Sequence, residues 1–383
     1  MNTIRRTNKV TLTAGSAALL CMALALPANA AVILVDNTCS LSDAIRSANE
    51  NDSVGGCTAG GSAQPDFIAL TQDVHLTEAS VPPHEGLPAI TSDIILLGFN
   101  HSITRNSVDS FRIFTLSGGP DGALTIEYTT ISGGFTAEPG GGFYVGNGTS
   151  ITIDRCTVSG NSAESGGGIF NEGGTVIIKN SLVTQNSAAE SGAGLEAGFR
   201  DTIFNSTFSG NTLTNADEDT GIAINANATA NVAVALSTFS GNQSNSASSS
   251  TLTSEVGSFS PMDVKSSIIA NTGGGGAACG EIASGTPAQL LNKDDDWTCS
   301  GSGDLSGFDL VLADNGGPTQ THALLESSNA IDHAGDCGQA QDQRGFPRDP
   351  NLCDSGAFEY PETALFEDGF ESGDTSAWSE TVP

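Results

Sequence analysis

Six segments of this chain repeat one another at intervals too short for any one of them to enclose a core alone. LTIEYTTISGG starting at Leu124 aligns with ITIDRCTVSGN at Ile151, VIIKNSLVTQN at Val176, DTIFNSTFSGN at Asp201 and VAVALSTFSGN at Val232. MDVKSSIIAN at Met262 joins them after a one-residue gap. The copies end on Gly134, Asn161, Asn186, Asn211, Asn242 and Asn271, at separations of 27, 25, 25, 31 and 29 residues. The third position is always aliphatic (Ile126, Ile153, Ile178, Ile203, Val234, Val264), and so is or aromatic the eighth (Ile131, Val158, Val183, Phe208, Phe239, Ile269). The fourth wanders through Glu127, Asp154, Lys179, Phe204 and Ala235. A fixed apolar position beside a variable one is the inside and outside of a strand. A second strand is expected at Phe143, Ile169, Leu195 and Ile222, with the glycines before Phe143 and Ile169 forming tight corners. Short strands of this kind bury a core by stacking at about 4.8 Å per coil, like residue over like.

The predicted fold is all-β, a single right-handed parallel β-helix over residues 93–311. Leucine-rich repeats lack their consensus here, helix-pair repeats would need a 3.6-residue period, and propeller blades need about four strands over 40 residues or more. Asn161, Asn186, Asn211, Asn242 and Asn271 are expected to form a structural ladder, each amide bonding to its copy in the next coil. A solenoid must also cover its ends. Leu41, Ala44, Ile45 and Ala48 are spaced for one face of a short capping helix, with Ser40 or Ser42 able to cap it. Residues 31–92 are thus read as the N-terminal cap and first coils, and the coils before the clear repeats are expected to use the stretches 67–70, 94–97 and 111–114.

Residues 1–30 combine Arg5, Arg6 and Lys9, an apolar run over 17–26 and the small-residue site Ala28-Asn29-Ala30. This is the pattern of a secretory signal peptide cut near Ala30, and no later run is long enough to span a membrane. A secreted or outer-surface monomer is expected. Its net charge of −31, which becomes more negative once the basic leader is removed, argues against nucleic-acid binding, because the remaining Lys and Arg are scattered. Cys39 with Cys57, Cys279 with Cys299, and Cys337 with Cys353 lie in close sequence pairs. In an oxidising compartment they are expected as disulfides, each worth about 3 kcal/mol. Cys156 sits where later repeats carry serine, which favours a small buried thiol over a nucleophile.

The opening CSLSDAIRSAN (residues 39–49) resembles the CSLREA-type start of secreted β-helix proteins. LADNGGPTQTHALLESSNAID (312–332) and DQRGFPRDPNLCDSGAFE (342–359) resemble the choice-of-anchor Q domain. Ser42 stands where arginine is usual, and Ser328-Asn329 where Ser-Pro is. The resemblance implies an exported or cell-surface protein whose C-terminal sorting signal varies between members, and no common reaction. Residues 312–361 would then be a C-terminal cap. Residues 362–383 carry six acids and no base, and read either as a sorting address or as an acidic end.

For chemistry, Glu127, Asp154 and Lys179 fall in one outward column, with Arg155 beside them. A polysaccharide lyase needs a base and a cation, and a glycoside hydrolase needs two carboxylates about 5–10 Å apart. The competing reading, which exposed strands favour, is a solvated ion-pair column. Tyr128, Phe143, Tyr144 and Phe204 could supply an aromatic patch for sugar. Asp294, Asp295 and Asp296 could hold calcium, but they lack the alternating ligands and glycine of an EF-hand, and a solvated charge run is favoured. His322 and His333 lack metal-type spacing and are expected in the terminal cap, as are the pairs Asp342 with Arg344 or Arg348 with Asp354. No other cofactor is expected. The function expected is a non-catalytic scaffold contacting extracellular polysaccharide or a cell-surface component; the alternative is a polysaccharide lyase or glycosidase.

Overall fold

The computed structural model describes residues 30–81, 84–215, 220–254, 262–270, 277–280, 292–294, 296, 298–299, 304–335 and 337–361. Its parallel strands wind into stacked coils. One nine-stranded sheet runs from Val32–Val35 to Asp263–Lys265, and a second nine-stranded sheet from Val74–Leu76 to Lys293–Asp294. A short sheet of four strands and another of six complete the perimeter. Within one coil the chain passes through Ser150–Asp154, Thr157–Ser159, Ser162–Ser165 and Ile169–Asn171 before re-entering the first sheet at Thr175–Lys179.

The register is the one that the repeats require. Ile126, Ile153, Ile178, Ile203, Val234 and Val264 are successive partners in the first sheet, and every one is buried. In the second sheet Ile131, Val158, Val183, Phe208, Phe239 and Ile269 align in the same way, with the Phe208 and Phe239 rings stacked 5.2 Å apart. Each such side chain contributes about 1.5–3 kcal/mol by leaving water. Phe143 belongs to this interior, stacked on Phe114 at 5.1 Å, and so is not part of an outward aromatic patch. The expected column through Leu195 and Ile222 is corrected by two residues: Leu195 pairs with Ile224, and the same strand shifts register between Gly221 and Ile224 against the next strand, Ser250–Ser254. Ile222 instead packs with Ala188, Ala193 and Leu213 in a small satellite cluster. The coil that contains it is one of the longer ones, and its extra residues displace the strand. The 111–114 stretch likewise contributes its strand as Phe114–Leu116, in the six-stranded sheet.

Two ladders hold the corners. Asn186 Oδ1 accepts from the backbone N–H and the side-chain amide of Asn161, and Asn211 and Asn242 repeat the arrangement below it at 2.9–3.1 Å. Asn271 lies outside the described residues. The other corner follows the first sheet. Ser181, Ser206, Ser237 and Ser267 each accept the amide N–H of the coil before and donate to the carbonyl two residues back. Asn292 ends that column by accepting from the Ser267 N–H at 3.0 Å. The residue preceding each serine is left-handed, as is Arg155 before Cys156 in the same column, with φ of 49–53° at Arg155, Asn180, Asn205, Leu236 and Ser266. Asparagine tolerates that conformation more readily than most residues.

The ends are covered by different means. A helix at Leu41–Glu50, capped by Ser40, buries Leu41, Ala44, Ile45 and Ala48 over the first strands and is tied down by the Cys39–Cys57 disulfide. Cys279–Cys299 and Cys337–Cys353 are also bonded. The C-terminal segment begins with the antiparallel pair Phe308–Ala313 and Thr321–Leu324. It lies along the outward side of the second sheet, not over the last rung alone. Thr319 reaches the Asn180 carbonyl, Gln343 takes the Thr207 hydroxyl, His322 meets the Ser209 hydroxyl, and Gly356 donates to the Ser266 carbonyl. Arg344 pairs with Asp342 at 2.6 Å, as the sequence suggests. Arg348 departs from its expected partner: its ion pair is with Glu359 at 2.7 Å, and it takes only a backbone carbonyl from Asp354.

Candidate functional site

Parallel pairing places Glu127, Asp154 and Lys179 side by side on the outer face of the first sheet. The structure therefore assembles the candidate constellation, and its geometry shows what that constellation can do. Asp154 is only 4% exposed although it points outward. Its Oδ2 meets Arg155 at 3.0 Å and Lys179 at 3.2 Å, while Oδ1 accepts from the Asn180 amide at 2.9 Å. Both oxygens are thus committed to protein donors, and a substrate would have to displace Lys179, Arg155 or Asn180 to engage them. Glu127 is the freer of the two. Burial holds its carboxyl above the ordinary range, and the neighbouring Asp154 adds to that, against the opposing pull of Lys179 and Arg155.

Beside this cluster, at the left-handed corner, lies a cleft of about 310 Å³. The Tyr128 ring, 38% exposed, and the Arg155 guanidinium stacked 5.5 Å from its centre form one wall. Thr129, Thr130 and Thr157 line it from the second-sheet side, Asn100 from an earlier corner, and Gly317-Pro318 from the C-terminal segment. Of these residues the sequence alone singles out Arg155 and Tyr128. The missed signal was the recurrence of Thr130-Ile131-Ser132, Thr157-Val158-Ser159, Thr207-Phe208-Ser209 and Thr238-Phe239-Ser240, which puts hydroxyls in two outward columns of the second sheet. Tyr144 of the anticipated aromatic patch lies elsewhere, stacked on Phe170 at 5.6 Å and on the outer face of the six-stranded sheet.

The remaining candidates are spread out. Asp294 is fully buried and its Oδ2 accepts from the Cys299 N–H, while Asp296 accepts from Ala278 and Thr298. Asp295 lies outside the described residues. Both aspartates that can be described thus fix backbone around the Cys279–Cys299 disulfide. Among the described residues no group of three or more His, Cys, Asp or Glu is arranged to hold a metal ion. His322 bridges the Ser209 hydroxyl and the Asp309 carbonyl, each at 3.0 Å, and burial lowers its pKa. His333 meets Ser355.

Cys156 is fully buried, and burial pushes its thiol up to about 12. In protein lacking the leader, Ellman's reagent is expected to detect no thiol until denaturant is added, and then one per chain. Rapid reaction in the native state would show that this column opens.

No helix among the described residues is long and apolar enough to cross a membrane. Comparison with curated proteins gave no match. Residues 92–279 match the family model of the right handed beta helix region, a stretch that contains Glu127, Asp154 and Lys179 and most of the cleft. Together with the stacked parallel sheets, that match makes this chain a right-handed parallel β-helix.

Proposed function

We propose that the chain is an exported scaffold that offers the rigid flank of its β-helix to extracellular glycan or to a cell-surface component, and that it performs no chemistry there. The observation that carries this reading is the commitment of both Asp154 oxygens to Lys179, Arg155 and Asn180. Three disulfides support an oxidising compartment. The basic and apolar leader with its site at Ala30 supports export, and the CSLREA-like opening and the choice-of-anchor Q-like segment support a place at the cell surface. Residues 362–383 would then serve as the sorting address. A helix-covered first coil and a flank covered by the chain's own C-terminal segment favour a monomer.

One observation favours a second reading. Glu127, its pKa raised, stands next to Asp154, and such a pair can divide the acid and base roles of a glycosidase. The two are separated by incubating leaderless protein with neutral and acidic polysaccharides while following co-sedimentation, reducing ends and unsaturated-uronate absorbance. Retention on glycan with no product is expected. Product formation that disappears in Asp154→Ala would overturn the scaffold reading.

A further inference from the structure

The outer face of the second sheet is used in two ways. In its later rungs the hydroxyls are occupied by the chain itself: Thr207 by Gln343, Ser209 by His322, and Thr238 by the Ala357 N–H. In the earlier rungs Thr130, Thr157 and Ser159 keep the same columns and remain partly exposed, with no side-chain hydrogen bond among the described residues. Where the covering segment stops, at Gly317-Pro318, the Tyr128–Arg155 cleft opens. Its volume lies at the lower end of the range for small-molecule pockets.

We infer that this cleft is a binding site for a neutral sugar residue of a longer glycan, which continues past the Thr130, Thr157 and Ser159 hydroxyls as far as Leu182, where the threonine column is interrupted; the inference rests on the scaffold reading given above. The chemistry is specific in three ways. Arg155 spends one N–H on Asp154 within a cluster where Arg155 and Lys179 face Asp154 and Glu127, two cations against two carboxyls, and it presents its remaining donors as hydrogen bonds to hydroxyls rather than as a free cation for a carboxylate. Tyr128 supplies the exposed aromatic surface that pyranose C–H groups favour. The Thr130 and Thr157 hydroxyls both donate and accept, and their spacing of about 4.8 Å along the axis suits a chain of sugar hydroxyls. A net charge of −31 opposes a polyanionic ligand. Because Gly317 and Pro318 form one wall, the site is complete only when the C-terminal segment is docked. Gly317 is itself fixed there, with φ at +83° and a Cβ that would fall 2.5 Å from the Arg344 Cα.

The corner column offers a clean variant. Asparagine occupies the equivalent left-handed position at Asn180 and Asn205, so Tyr128→Asn removes the ring without disturbing the backbone. Wild type, Tyr128→Asn, Thr157→Val and Phe199→Asn, the last removing an exposed aromatic outside the cleft, would be titrated calorimetrically with cello-, xylo- and manno-oligosaccharides and with oligogalacturonate. Melting temperatures would confirm folding. Binding of a neutral oligosaccharide is expected, weakened at least about tenfold by Tyr128→Asn and severalfold by Thr157→Val, and unchanged by Phe199→Asn. Neutral binding that Tyr128→Asn leaves intact would overturn the cleft while sparing the scaffold reading. Binding of oligogalacturonate alone would overturn the ligand class and likewise spare it. Absence of binding to every probe would sink both.

Discussion

Asn186→Leu is expected to lower the stability of the β-helix by about 3–5 kcal/mol, although the side chain is close in size and the site is only 1% exposed. The leucine fills the space but removes four hydrogen bonds, of which Asn161 Nδ2 keeps an alternative in the Ile131 carbonyl and Asn211 Oδ1 keeps the backbone N–H of residue 186. Asn186 Oδ1 accepts from the Asn161 N–H and amide, and its own amide donates to the Val158 carbonyl and to Asn211 Oδ1. A buried polar group left without a partner costs about 1–3 kcal/mol, and Asn161, Asn186 and Asn211 are all buried. Within the helix each coil pairs with its neighbours, so the loss falls in the middle of the stack, where the docked C-terminal segment supplies the remaining ties between coils. Urea unfolding should therefore show a lower midpoint and a shallower slope, as the two halves begin to separate. Glu190→Gln, on the exposed outside of the adjoining strand, should shift the midpoint by no more than about 0.5 kcal/mol. An Asn186→Leu midpoint equal to that of the wild type would mean that the ladder is decoration.

The core columns and the asparagine ladder were legible because stacking makes a local residue choice repeat along the sequence. Ile153, Ile178 and Ile203 recur at 25-residue steps, and the register follows. Where the step changes, legibility fails: the column was assigned to Ile222, while the longer coil moves Ile224 into it. The sequence also identified the charged column but not its state. That Asp154 is closed off depends on Asn180 and Arg155, which reach it from left-handed corners whose direction no period encodes. The cleft was illegible for a related reason, since Pro318 meets Tyr128 across a long separation in sequence. Nothing in a non-repeating segment announces that it will lie along a flank. Its polar docking on Thr207, Ser209 and Thr238 becomes apparent only once the hydroxyl columns are in place.

Two acids break one inward column, Asp66 and Asp201, and the second makes stability depend on pH near neutrality. Asp201 stands in line with Leu124, Ile151, Val176 and Val232, 1% exposed, with Oδ1 accepting from the Asn171 amide at 2.8 Å. Burial pushes its carboxyl up to about 7, outweighing the hydrogen bonds from Asn171 and from the Gly198 and Phe199 backbone. The unfolded chain releases this proton near the ordinary value of 3.8, so between that pH and about 7 the folded protein holds a proton that the unfolded one does not. The contribution is full below the unfolded value and is lost as pH rises to the folded one, by up to roughly 4 kcal/mol. Asp354, also raised to about 7 by burial, acts in the same direction. Asp201→Asn keeps an acceptor for Asn171 and removes the charge. Above pH 7 it is therefore expected to be more stable than the wild type by a few kcal/mol, with the two converging as pH falls towards 4. The residual slope in the variant then belongs to Asp354 and the other titrating groups. Urea midpoints measured from pH 5 to 8.5 decide the matter: if wild type and variant run parallel across that window, the Asp201 carboxyl titrates as an ordinary exposed acid and the column is not sealed.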